Sequence, residues 1–276
     1  MPNVDGQWLD RPTIWRKISL NTWSPPDNAT IFGVLEVDVS RLQDFLKARS
    51  DASGVKCTMT HAVARALALV LHKYPECNVL VRGRRLWLRK DVDVFHQVAM
   101  PIEGRPGKAD LSGATIRQAD TKRIEVIARE LKDAADAVRK QKDGEMAQTR
   151  NLMMNLPNFV LTPLMKVLGF LSYDLNLTLP TVPGDPFGSA MVTSVGMLGI
   201  KMAYAPLVTF SRCPIILLVG AVEDRPVVRE GQVVVRPICS LTASLDHRIL
   251  DGFLGGLLAS EMKRLLEEPE LLDSGS

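Results

Sequence analysis

The 276-residue sequence predicts an α+β fold, with a mixed or mostly antiparallel sheet packed against helices. Three observations carry that expectation. Residues 121–143 place Ile124, Ile127, Ala128, Leu131, Ala134, Ala135 and Val138 at the i, i+3, i+4, i+7 spacing of a helix with one buried face. In the last third, apolar and β-branched runs at 189–199 and 214–245 follow one another with no helix between them, which favours locally paired strands over a βαβ repeat. No repeat, low-complexity tract or Pro/Ser/Gly linker divides the chain, so a single domain over 1–276 is expected.

After an irregular arm, "IFGVLEVDVS" (31–40) alternates β-branched and other residues and predicts a strand. Ser40 suits the N-cap of a short helix, "RLQDFLKARS". "THAVARALALVLHKY" (60–74) predicts an apolar helix stopped by Pro75. "NVLVRGRRLWLRKDVDVFHQVAM" (78–100) predicts short strands around a Gly-Arg turn, the last of them largely buried. The run at 152–171, "LMMNLPNFVLTPLMKVLGFL", approaches the length of a membrane span but carries Pro157, Pro163, two asparagines and Lys166. A buried or interfacial segment is expected there, because hydrocarbon offers those polar groups no partners. The 214–245 run predicts a hairpin turning near Glu230-Gly231, and a last helix runs from Gly252 to about Glu267.

Composition excludes several classes of function. With 34 basic against 31 acidic residues the net charge is +3, too balanced for a nucleic-acid face. Cys57, Cys77, Cys213 and Cys239 lie far apart in apolar surroundings and form no CxxC pair, so buried free thiols are expected, with neither a zinc site nor a disulfide framework. The first residues lack the layout of a secretory signal, and a cytoplasmic protein is expected. No GxGxxG or P-loop motif points to a bound nucleotide.

The stretch "LTASLDHRILDGFLGG" (241–256) carries the chemistry. It places His247 between a strand and a helix, where rigid elements hold a side chain on both sides. Imidazole titrates near neutral pH and a thiol near about 8.5, so histidine suits the deprotonation of a thiol. Asp251 fits two roles, catalytic partner or N-cap of the following helix, and spacing does not separate them. Gly252, Gly255 and Gly256 permit close backbone approach or simple packing.

"DHRILDG" (246–252) resembles the His-x-x-x-Asp-Gly signature, in its Asp-His-Arg form, of the catalytic domain of 2-oxoacid dehydrogenase acyltransferases, the E2 components, and of the related chloramphenicol acetyltransferases. "KYPECN" (73–78) is similar to the family's His-Pro-x-x-Asn segment, with Tyr74 in place of the histidine. "VTSVGMLGI" (192–200) resembles its Ser-x-x-Gly-x-x-Gly strand and turn. Residues 223–248 resemble its final hairpin, and "WRKISL" (15–20) its opening helix.

The resemblance implies a chloramphenicol acetyltransferase-like two-layer fold and acyl transfer between coenzyme A and a thiol such as a dihydrolipoyl group. It implies His247 as general base, Thr193 with Ser194 beside it as the hydroxyl facing the oxyanion, and Asp251 ion-paired with Arg16 to shape the active-site loop. It further implies a homotrimer with active sites at subunit interfaces, with acyl-coenzyme A as substrate and no metal. The chain shows no lipoyl or peripheral-subunit-binding domain, so a lipoyl group is expected from a partner protein. Its polar ending, "LEEPELLDSGS", argues against a larger cubic or icosahedral core. An apolar insertion at about 150–187 departs from the family and is expected to form a lid, an acyl-chain wall or a subunit contact. "MPIEGRPGK" (100–108) departs from the family's Gly-Leu turn, so coenzyme A contacts there are expected to differ. Two other readings stay open: a chloramphenicol acetyltransferase-type O- or N-acyltransferase, and a non-catalytic E2-like assembly subunit.

Overall fold

A computed structural model describes residues 29–82, 85–101, 109–139, 158–177, 184–208 and 211–273. The strands are β1 (Thr30–Asp38), β2 (Val79–Arg82), β3 (Arg85–Leu88), β4 (Val94–Pro101), β5 (Ala109–Ile116), β6 (Ala190–Ser194), β7 (Ile215–Arg229) and β8 (Gln232–Asp246). Six of them form one sheet in the order β1-β8-β7-β6-β4-β5, while β2 and β3 pair separately. β6 runs parallel to both β4 and β7, and the other pairs are antiparallel, so the sheet is mixed as expected. β7 and β8 are joined by Glu230 and Gly231, both at positive φ, the two-residue turn whose twist matches the strands it connects.

Helices α1 (Ser40–Ser53), α2 (Met59–Lys73), α3 (Ile124–Arg139) and α5 (Gly252–Glu267) share one hydrophobic core with the sheet. In that core Val37, Val192, Leu217 and Leu241 meet Leu42, Val63, Leu67, Ile127 and Leu265. Each such side chain contributes about 1.5–3 kcal/mol on burial, which outweighs any single surface interaction. α2 is buried almost all round, which explains its lack of a polar face. Its Arg65, fully buried, donates to the carbonyls of Leu272, Ala119 and Asp120 and so ties two short turns to the helix. On the opposite face Phe95, Met191, Cys213 and Ile216 form a second cluster under Phe187, Ala205, Leu207 and Val208. The Ser244 hydroxyl donates to the Ala205 carbonyl at 2.6 Å, and that of Thr242 to Ala203, lacing this segment to β8.

Several local expectations need correction. Ser40 is the first helical residue rather than the N-cap. Val39 holds the cap position, and the Asp38 carboxylate accepts from the Ser40 N–H and hydroxyl at 3.1 and 2.7 Å, a stronger acceptor two residues upstream. The 121–143 helix starts only at Ile124, behind a short turn at Ala119–Thr121, and residues 140–143 lie outside the described residues. The strand expected at 189–199 ends at Ser194, because Gly196 packs its backbone against Gly220. A Cβ on Gly196 would lie 2.5 Å from the Gly220 carbonyl oxygen. β5 has no counterpart in the sequence reading. Its pattern breaks at Gly113, whose missing side chain is replaced by the Phe95 ring.

The apolar 152–171 run forms α4 (Asn158–Gly169) and enters a short π-helix (Phe170–Asp174), with 152–157 outside the described residues. Val160, Val167 and Phe170 are exposed, so the buried alternative fails within the single chain. Among the described residues no helix is long and apolar enough to cross a membrane.

Candidate active site

β8 ends in a tight turn that leads into α5. The backbone N–H groups of Ile249 and Leu250 return to the Asp246 carbonyl at 3.0 and 2.9 Å. The Asp246 carboxylate accepts from the Arg248 backbone N–H at 3.0 Å, from its Nε at 2.9 Å and from its Nη2 at 2.5 Å. Burial alone would raise this carboxyl, but the hydrogen bonds and charge of Arg248 outweigh it and hold Asp246 below the usual carboxylate range. Between these two residues stands His247, exposed, its N–H donating to the Ala29 carbonyl at 2.6 Å. Its Nδ1 lies 3.0 Å from the Leu250 carbonyl oxygen. A carbonyl only accepts, so Nδ1 carries the hydrogen and Nε2 keeps its lone pair in the neutral ring. That is the tautomer a general base requires.

Asp251 is extended, and its Oδ1 accepts from the Phe253 and Leu254 N–H groups at 2.9 Å each. It is therefore the N-cap of α5. Of the glycines beyond it, Gly252 and Gly256 have open space where a Cβ would stand, so neither is required by a close approach.

Thr193 and Ser194 close β6. The pairing of His96 with Val192 sets Gln97 of β4 beside Thr193 on the next strand. Thr193 Oγ1 donates to Gln97 Oε1 at 3.0 Å. Ser194 points to the other face of the sheet, its hydroxyl 3.5 Å from the Val219 carbonyl.

One chain does not bring the two hydroxyls and the histidine together. Thr193 stands level with Leu218 of β7 and Thr242 of β8. His247 lies five positions further along β8, and β6 finishes at the other end of the strands because β6 and β8 run antiparallel. At about 3.3 Å per residue and about 4.8 Å per strand the separation is on the order of 19 Å. Arg16 lies outside the described residues. Sequence reasoning missed Gln97, which only the strand register sets beside Thr193. It also missed the Asp246–Arg248 clamp, although both residues sit inside the quoted motif.

The remaining histidines do other work. His72 is exposed and pairs with Asp120 at 2.8 Å. His61 accepts the Thr58 N–H on Nδ1 at 3.1 Å, and burial pushes it down to about 4. His96, fully buried with no partner on either ring nitrogen, is pushed down to about 3 by burial and by the nearby His61. All four cysteines are free and buried, and burial pushes Cys77, Cys213 and Cys239 up to about 11. Those thiols are inert as nucleophiles at neutral pH. Among the described residues no cluster of three or more His, Cys, Asp or Glu side chains is placed to hold a metal.

The profile of 2-oxoacid dehydrogenases acyltransferase (catalytic domain) matches residues 24–156 and 186–273. The chain belongs to this acyltransferase family. Residues 157–185, which include α4, fall outside the match. Relatives of this acyltransferase-family chain include the dihydrolipoyllysine-residue acetyltransferase component of the pyruvate dehydrogenase complex of Rhizobium meliloti, 29% identical over 78% of this chain and 38% of that protein. The lipoamide acyltransferase component of the branched-chain alpha-keto acid dehydrogenase complex of Bacillus subtilis is 27% identical over 85% of this chain and 46% of its own length. The chain thus spans less than half the length of these relatives. Among solved structures, a probable dihydrolipoamide acetyltransferase from Listeria monocytogenes shares the fold at TM-score 0.64 and 22% identity, covering 95% of each chain. The cubic core of a pyruvate dehydrogenase multienzyme complex does so at TM-score 0.67 and 20% identity, covering 99% of this chain and 98% of the other.

Proposed function

We propose that this acyltransferase-family chain is one catalytic domain, interrupted by the apolar insertion at about 150–187, that moves an acyl group between coenzyme A and a thiol acceptor of the dihydrolipoyl type. The observation that carries the reading is His247, exposed at the end of a clamped turn with Nδ1 tied to the Leu250 carbonyl and Nε2 left as a base. His247 Nε2 takes the acceptor thiol's proton, and the resulting thiolate forms a C–S bond to the thioester carbonyl carbon. The carbonyl electron pair moves to oxygen, giving an oxyanion that the Thr193 end of the site stabilises. When the carbonyl reforms, the original C–S bond breaks, and the leaving thiolate takes the proton held by His247. A crystal structure of Azotobacter vinelandii dihydrolipoamide acetyltransferase, 19% identical, addresses the role of a serine, a histidine and an asparagine in that enzyme's catalytic mechanism. Its asparagine lies four positions after the histidine, where this chain has Asp251 after His247.

The distance between His247 and Thr193 within one chain supports a homotrimer whose sites form between subunits. Met197, Leu198 and Ile200, exposed just beyond Thr193, fit burial against a neighbouring copy. Asp251 then caps α5 and pairs with Arg16, and the α4 segment contributes to the assembly or covers the acyl pocket. Four buried free thiols fit a reducing cytoplasm.

The test is acetyl transfer from acetyl-coenzyme A to free dihydrolipoamide, scored beside hydroxyl acceptors and combined with light scattering. Thiol transfer that depends on His247, from a trimer, is the expected result. Preference for hydroxyl acceptors turns the reading into an O-acyltransferase, and no transfer at all leaves an assembly subunit.

A further inference from the structure

The stretch outside the family match is fastened by arginines that all lie within the matched residues. At its far end Arg117 donates to the Gly184 and Asp185 carbonyls at 3.0 Å each, and Arg89 pairs with the Asp185 carboxylate. Asp174, which closes the π-helix, is held twice. Its carbonyl accepts from Arg82 Nη2 at 3.2 Å, and its carboxylate accepts from Arg212 Nη2 at 2.7 Å. The Asp174 and Arg212 side chains are 13% and 28% exposed, so water and salt screen this pair less than a surface one. Arg212 differs from the other arginines in its backbone. Its φ is 53°, a left-handed conformation that a residue with a Cβ keeps only where its surroundings hold it. Two residues later the Pro214 carbonyl accepts the Asp246 N–H at 2.9 Å, one step past the pairing of Ile215 with Leu245. The next residue along β8 is His247.

We propose that Asp174 is a positioning residue for His247: its carboxylate pins Arg212 in the left-handed conformation and so sets the Pro214 carbonyl on which the turn carrying the base hangs. The proposal rests on the acyl-transfer reading above. Released from Asp174, the Arg212 backbone is free to relax towards negative φ, and the segment after it must then move. That segment is stiff. The Pro214 ring locks its own φ, and Cys213, buried and preceding a proline, is confined to extended backbone, so a rotation at Arg212 is passed on to the Pro214 carbonyl rather than absorbed. From behind, the Ser211 N–H returns to the Val208 carbonyl at 2.9 Å, and the Ser211 hydroxyl takes the Cys213 N–H at 3.2 Å. These bonds fix the residues on either side of Arg212, and Asp174 fixes Arg212 itself. At the other end of the route the Asp246 carbonyl accepts from Leu250 N–H, and the Leu250 carbonyl holds His247 Nδ1. A displaced Asp246 N–H therefore tilts the ring that presents Nε2.

The test is a cycle of Asp174→Ala, Arg212→Gly and the double variant in the full chain. Each is assayed with acetyl-coenzyme A and dihydrolipoamide, and by hydrogen exchange of the peptide that spans the turn. Asp174→Ala is expected to lower kcat by about tenfold, short of the roughly 10²-fold of a 1 Å misplacement, with KM for acetyl-coenzyme A nearly unchanged and exchange at the turn faster. Glycine takes a positive φ without steric cost and needs no pin. In the Arg212→Gly background the same Asp174→Ala change is therefore expected to lose its effect on kcat and on exchange. An Asp174→Ala loss of equal size in both backgrounds overturns the proposal, because the effect then bypasses Arg212. An Asp174→Ala enzyme of wild-type rate overturns it as well. Asp174→Asn keeps the shape and loses the charge; it is expected to be slower than the parent, and it carries the cycle if the alanine variant does not fold. His247→Ala separates the two levels of argument. Transfer that depends on His247 but not on Asp174 removes the proposal alone, whereas transfer absent from the wild-type chain, or indifferent to His247, removes the acyl-transfer reading and the proposal with it.

Discussion

The two ends of the central strands treat their polar groups in opposite ways. Where β8 ends, His247 Nδ1, the Asp246 carboxylate, the Arg248 guanidinium and the first N–H groups of α5 all have partners within the same chain. Where β6 ends, one side-chain pair, Thr193 with Gln97, stands beside Met197 and Leu198, which are 86% and 71% exposed. The proposed base is held in place by its own chain. The end proposed to face the oxyanion leaves Met197 and Leu198 uncovered, which fits the proposed completion by a second copy.

The largest effect expected from breaking this contrast is on rate. His247→Ala is expected to lower kcat by roughly 10²–10⁴ while leaving the thermal midpoint and the oligomeric state unchanged, since the ring is exposed and donates a single hydrogen bond. Steady-state kinetics alongside calorimetry checks both halves. A destabilised His247→Ala protein that retains turnover makes the histidine structural.

Acid comes next, and it acts on the core rather than on the site. His61 and His96 are held neutral, at about 4 and about 3 when folded against an ordinary value of 6.5. Between those values the unfolded chain binds more protons, so their contribution is complete above about pH 6.5 and is lost as pH falls towards 4 and then 3. The loss is on the order of several kcal/mol in total. His96→Leu, which removes two unpartnered buried nitrogens, is expected to flatten the fall in unfolding midpoint between pH 7 and 4.

Smaller effects sharpen the comparison at the turn itself. Asp246→Asn weakens the grip on Arg248 and is expected to cost about 1–3 kcal/mol in chemical denaturation, with activity falling because His247 loses its fixed turn. Asp251→Ala removes the cap of α5, at about 1 kcal/mol. Asp251→Asn keeps the cap and removes only the charge. Its loss is expected to match that of Arg16→Ala, with little further loss in the double variant, if the proposed pair forms. An Asp251→Asn protein as stable as the parent leaves the cap as the whole role.

Legibility in the sequence followed the range of the interactions. The α3 stripe, the β7–β8 hairpin and the 60–74 helix were readable because their causes lie within a few residues: apolar period, a Glu-Gly turn, a proline stop. Ser40 misled because the acceptor that satisfies the helix end, Asp38, sits two residues upstream of the expected cap. β5 escaped because its cause is not local: Gly113 breaks the strand pattern to admit the Phe95 ring from β4. The site divided in the same way. His247 and Asp251 share one seven-residue motif, whereas Gln97 and Thr193 are 96 positions apart in sequence and meet only through the parallel register of β4 and β6.

By itself, the sequence determined the family, the mixed α+β class and the position of His247 at a strand-to-helix turn, because such a turn and its N-cap are built from neighbouring residues. Tertiary structure decided which atoms of those residues are available. It assigned the Nδ1 hydrogen of His247 to the Leu250 carbonyl, set Thr193 beside Gln97, and sent the last residues of β6 and β8 to opposite ends of the strands of one sheet. The reason is geometric. A hydrogen bond depends on an approach of about 3 Å, and between residues far apart in sequence only the packed sheet sets that distance.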